Sequence, residues 1–161
     1  MRRMAVRRKD KEVTDGEWMR EILKRGQVMA LAMAEEDGWP YVVYMGYGYD
    51  GEKLYVHGAV AGKKNEILAE NPRVCFQVAL DMELVRSDAG VQFTWKYRSV
   101  TGYGHLRTLT DLDEKNKALE ILMKQYDGPH TALTPANHER VWVACIEIEE
   151  LTGKSGVYPK P

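Results

Sequence analysis

No run in this 161-residue chain approaches the ~18 consecutive apolar residues that a membrane-spanning helix requires. The charged N-terminus is not followed by the hydrophobic stretch of a signal peptide either, so the sequence is expected to be cytoplasmic, with no membrane partner. Charge of one sign is also lacking: 23 Lys and Arg stand against 24 Asp and Glu, a formal net charge of −1, which argues against a general nucleic-acid binder. Cysteine is scarce. Cys75 and Cys145 each lie in an apolar run with no neighbour at metal-ligand spacing, so two core thiols are expected rather than a disulfide or a zinc site. No serine nucleophile elbow, P-loop or Rossmann fingerprint occurs, because Gly102-Tyr103-Gly104 lies inside a strand-like run and lacks both a third glycine and a following helix. Hydrolase and kinase chemistry are excluded on that ground. There are no internal repeats and no low-complexity segments.

What is present fits one domain over residues 1–161, since 44% hydrophobic content at this length builds one sizeable core and leaves no room for a second. Residues 1–12 form a basic arm: Met1 to Lys11 holds six Arg or Lys against one acid. The arm reads as a segment ordered on the domain or on a partner subunit. A helix over about 15–24 opens with a capping box, Thr14 with Glu17, and carries Trp18, Ile22 and Leu23 as an apolar stripe. Strands follow over 28–34, 39–49 and 53–57, separated by Asp37-Gly38 and Asp50-Gly51, which are tight-hairpin signals and predict an antiparallel meander. A short helix ends at Asn71-Pro72. Further strands are expected over 73–80 and 93–109, the latter with a bulge or bend at Gly102 and Gly104. A helix over 111–125, capped by Asp111 with Glu114, and a last strand over 141–149 complete six strands with few helices. That pattern favours a closed or partly closed barrel.

The run Tyr55-Val56-His57-Gly58-Ala59-Val60-Ala61-Gly62-Lys63-Lys64 is a strand entering a glycine loop and then two lysines in the first turn of a helix. Cations there oppose the helix dipole, at a cost of a few tenths to ~1 kcal/mol, and a bound phosphate would reverse the sign while using the same amide groups. Two solvated surface lysines are the other reading of these residues alone, and Glu70 at the wrong end of the same helix belongs with it.

His57, Gly62-Lys63-Lys64, Asn71-Pro72-Arg73-Val74-Cys75-Phe76 and Tyr97-Arg98-Ser99-Val100-Thr101-Gly102-Tyr103-Gly104 follow one another in an order that resembles the nitroimidazole-resistance branch of the FMN-binding split-barrel proteins related to pyridoxamine-phosphate oxidase. The opening Arg7-Arg8-Lys9-Asp10-Lys11-Glu12-Val13-Thr14-Asp15 and the closing Ile146-Glu147-Ile148-Glu149-Glu150-Leu151-Thr152-Gly153-Lys154 agree with it, so the likeness spans nearly the whole chain. Two departures stand out: the family usually carries Arg-Lys at Lys63-Lys64, and a small polar residue at Gly58. Lysine keeps the charge and loses the bidentate fork.

The resemblance implies a six-stranded antiparallel split barrel that binds FMN at a cleft shared by two subunits of a homodimer. The backbone of Val43, Tyr44 and Met45 would meet the flavin ring edge, Lys63 and Lys64 would hold the phosphate, and Ser99 would stand where relatives hydrogen-bond the cofactor. His57 would lie beside the cofactor as the candidate catalytic residue, donating to the flavin or protonating a substrate. A lone histidine at a strand end is otherwise a structural hydrogen-bonding residue. The implied function is an FMN-dependent oxidoreductase passing electrons to a small electrophile such as a nitroaromatic. The alternative is a non-catalytic flavin or haem binding or handling protein on the same barrel.

Overall fold

The computed structural model describes residues 6–161. In chain order the elements are β1 (Glu12–Val13), α1 (Gly16–Arg25), β2 (Val28–Ala34), β3 (Pro40–Gly46), β4 (Gly48–Tyr49), β5 (Lys53–Gly58), α2 (Lys63–Glu70), β6 (Arg73–Val85), β7 (Thr94–Leu109), α3 (Leu112–Gln125) and β8 (Trp142–Gly156). The strands form one antiparallel sheet in the order β3-β2-β6-β7-β8-β5-β4, with β1 paired to β8. β3 and β4 are consecutive pieces of one segment, separated only by Tyr47, so the two edges of the sheet meet in the chain itself. The sheet therefore curls into the expected split barrel.

Alternation along the strands sends one face inward. Met29, Leu31 and Met33 of β2, Leu54 and Val56 of β5, Val74, Phe76 and Val78 of β6, and Trp142, Ala144 and Ile146 of β8 meet in one buried core. Full burial of each aliphatic or Phe side chain contributes about 1.5–3 kcal/mol. Ile22 and Leu23 of α1 join this core, and the hydroxyl of the buried Tyr47 donates to the Leu23 carbonyl at 2.8 Å. The Gln125 side-chain amide donates to the Leu23, Lys24 and Gly26 carbonyls, so α3 satisfies the C-terminal end of α1. On the outer face α3 packs through Ala118 against Leu109, Val143 and Cys145. It also lies directly on Gly48, where a Cβ would stand 2.6 Å from the Leu122 Cα.

Several expectations change in detail. The predicted meander forms with a break in its middle strand: the expected 39–49 strand splits at Tyr47 into β3, which pairs β2, and the short β4, which pairs β5. The bend at Tyr47 turns Gly48 and Tyr49 away from β2 and onto β5, and the other edge of β5 is taken by β8, which begins more than eighty residues later. Asp15, not Thr14, caps α1, its carboxylate accepting from the Glu17 and Trp18 amides. Asp111 caps α3 as expected. The expected bulge on β7 falls between Tyr103 and Gly104. β6 runs on to Val85, past a second register shift between Leu80 and Glu83. There Asp81 takes a positive φ of 53° and its carboxylate pairs with Arg98 and Arg25. Of the basic arm, Met1 to Ala5 lie outside the described residues. Val6 is buried, Glu12 and Val13 pair with Lys154 and Gly153, and the Ser155 amide donates to the Lys11 carbonyl.

Candidate functional site

The β5–α2 junction is built around Gly62, whose φ of 122° and ψ of 168° suit glycine and no L side chain without strain. Its carbonyl accepts from the amides of Asn65 and Glu66, while the Asn65 side chain donates back to the Ala59 carbonyl at 3.3 Å, folding the loop onto itself. No side chain caps this end of α2. The first amides of the helix therefore open, with the positive end of its dipole, onto a cleft of about 340 Å³. Val43, Tyr44 and Met45 of β3 line one side of the cleft, and Gly62, Lys63 and Lys64 line the other.

The two lysines differ. Lys63 Nζ lies 2.8 Å from Glu35 Oε1 and 5.1 Å from the centre of the Tyr41 ring. The Glu35 hydrogen bond raises its pKa, so it is charged and already neutralised. Lys64 is half-buried; its Nζ lies 3.7 Å from the centre of the Trp142 ring and 3.0 Å from Asn65 Oδ1. Burial lowers its pKa, and no carboxylate among the described residues pairs with it. A half-buried cation without a counter-ion, beside uncapped helix amides, attracts an anion, and the apolar wall opposite suits a flat ring attached to that anion.

Five of the seven residues singled out from the sequence, Val43, Tyr44, Met45, Lys63 and Lys64, thus share one cleft. The other two are not among its lining residues. His57 is exposed, on the face of β5 opposite the buried Val56, and is paired in register with Val143. Ser99 is buried in the middle of β7, between Ala79 of β6 and Lys154 of β8. The sequence reading did not single out Glu35, Tyr41 or Trp142. Trp142 carried a usable signal, since alternation along β8 puts it on the inner face; nothing local to Glu35 announced its contact with Lys63. A second concavity, about 300 Å³, lies against β2, β6 and β7 near Ala32, Cys75 and Tyr103; Arg73 is the one cation lining it, and no helix N-terminus opens there. Among the described residues, no three His, Cys, Asp or Glu side chains stand close enough to hold a metal ion.

A split barrel with an anion-attracting cleft between β3 and the start of α2 defines a class of small-ligand-binding β-barrel. The family model described as pyridoxamine 5'-phosphate oxidase matches residues 15–155, and the chain belongs to that family. Comparison with curated proteins gives no match. Among solved structures, a candidate 5-nitroimidazole antibiotic resistance protein from Bacteroides thetaiotaomicron is 26% identical, with a TM-score of 0.79 over 89% of this chain and 85% of that one. An FAD-binding protein from Mesorhizobium loti is also 26% identical, with a TM-score of 0.64 over 88% of this chain and 95% of that one. The FAD and haem binding protein from Mycobacterium smegmatis, 20% identical, superposes with a TM-score of 0.82 over 94% of this chain and 76% of its own, a likeness of fold.

Proposed function

We propose that this protein is an FMN-dependent oxidoreductase that works as a homodimer and reduces a small electrophile such as a nitroaromatic. The observation that carries the reading is Lys64, a half-buried cation without a carboxylate partner among the described residues, which lines a cleft together with Val43 and Met45. Together with the uncapped N-terminus of α2 it fits a terminal phosphate. Membership of the pyridoxamine 5'-phosphate oxidase family and similarity to a candidate nitroimidazole-resistance protein support the same reading.

When bound, the flavin supplies the electron transfer. The chain's own residues orient and exclude. The strand backbone from Val43 to Met45 would face the flavin ring, Lys64 and the α2 amides would hold the phosphate, and Lys63 would add a second cation once released from Glu35. Tyr44, which lines the cleft, and Val42 beside it on the outer face of β3 are 83% and 62% exposed and support an interface with a second copy. In that dimer Ser99 and His57, which stand outside the cleft of their own protomer, belong to the shared site, with His57 delivering a proton to the substrate. Flavin titration and steady-state reduction of a nitroaromatic by the reconstituted dimer, with a nicotinamide as electron donor, test the reading. Flavin that binds but does not turn over would leave a binding protein rather than an enzyme.

A further inference from the structure

Lys64 is held in the cleft by a residue far away in sequence. Trp142, at the start of β8 and only 7% exposed, presents its ring face to Lys64 Nζ at 3.7 Å. The indole is itself fixed, because Nε1 donates to Thr108 Oγ1 on β7 at 3.2 Å. Gly58 on β5 lies opposite Trp142 in the β5–β8 register and contributes no side chain; a Cβ there would touch both the ammonium, at 3.6 Å, and the Trp142 ring, at 3.9 Å. The ammonium thus lies in a slot between the bare backbone of β5 and an indole anchored across two strands.

We propose that Trp142 is a positioning residue of the cofactor site, holding Lys64 for the phosphate by a cation–π contact and so setting the preference for a phosphorylated flavin. The inference rests on the FMN reading above. A cation on an indole face keeps its full charge, whereas a cation paired with a carboxylate is neutralised, as Lys63 is by Glu35. The ring therefore fixes the geometry of Lys64 without competing for its charge. That arrangement restores some of the fixed geometry lost where lysine replaces the planar fork of arginine. Burial depresses the Lys64 pKa, the condition in which a nearby phosphate gains most from the ammonium.

The test is the ratio of FMN to riboflavin affinity, read by quenching of flavin fluorescence in the full-length protein and in Trp142→Leu, Trp142→Phe, Lys64→Ala and the Trp142→Phe/Lys64→Ala pair. Trp142→Leu should lower the ratio about tenfold and Trp142→Phe about threefold, the range expected for a partly desolvated cation–π contact, while riboflavin affinity stays put. In the Lys64→Ala background the Phe substitution should change nothing. A merely structural role would lower affinity for both flavins together, which overturns the inference. So would an unchanged ratio in Trp142→Phe, the variant that decides the matter if Trp142→Leu fails to fold. If the unsubstituted protein binds riboflavin as tightly as FMN, the FMN reading itself fails, independently of Trp142.

Discussion

Replacing Lys63 and Lys64 with alanine, singly and together, separates the contributions of two adjacent cations whose surroundings differ. Lys64 is half-buried and carries no ion pair, so removing it deletes a charge-assisted contact to the phosphate with nothing regained elsewhere. Such contacts are typically worth about 1.5–3 kcal/mol, roughly a 10- to 150-fold loss in FMN affinity. Lys63 is exposed and bound to Glu35, and it must give up that partner to reach a phosphate. Its net contribution is smaller, so Lys63→Ala should weaken FMN binding less than Lys64→Ala does. Glu35→Gln, which releases Lys63, should strengthen binding modestly, and only when Lys63 is present. The double lysine variant should lose FMN by about two orders of magnitude or more while riboflavin affinity and the far-UV circular dichroism spectrum hold. Fluorescence titration with both flavins measures each term. Full FMN retention in the double variant, or an equal loss of both flavins, refutes the phosphate assignment.

Three further outcomes follow from other parts of the molecule. His57→Ala should leave most of the flavin bound, since the phosphate contacts remain, and should lower turnover per bound flavin about 10²-fold if it delivers a proton; lower thermal stability with unchanged turnover would make it structural. Gly48→Ala places a Cβ 2.6 Å from the Leu122 backbone, so α3 must lift off the barrel; chemical denaturation should show a loss of about 3 kcal/mol or more, and a near-neutral result would contradict the packing described. The Asp81 carboxylate is held below the usual carboxylate range, first by its hydrogen bond from Arg98 and then by Arg25. A depressed native pKa stabilises the fold above the unfolded value and loses that stabilisation as pH falls through the native one. Asp81→Asn, which keeps a side chain tolerant of positive φ, should therefore lower the melting temperature at pH 7, by an amount that shrinks below about pH 4.

Local chemistry made much of this architecture legible. The Asp111 cap, the Asp-Gly hairpins with Gly38 and Gly51 at positive φ, and the β7 bulge beside Gly104 each follow from residues a few positions apart. Features that depend on distant contacts were not legible. The place of β5 in the sheet is decided by β8, which begins more than eighty residues later. Likewise the bend that lets Asp81 adopt a positive φ is held by Arg25 from α1 and by Arg98 from β7. The same division runs through the site. The glycine loop and the lysine pair form a contiguous signal, whereas the difference between Lys63 and Lys64 is set by Glu35 and Trp142, and no local pattern links either of them to α2. His57 and Ser99 came from family order rather than from side-chain direction, and both stand outside the cleft of a single protomer.

The central claim is that this barrel holds FMN. Its most direct test is the absorption spectrum of the protein as purified, followed by mass identification of the chromophore released on denaturation and, for colourless protein, reconstitution with FMN. The expected result is a flavin spectrum, FMN as the released species, and saturation at one FMN per chain. A haem Soret band, FAD as the released species, or failure to take up FMN would contradict it.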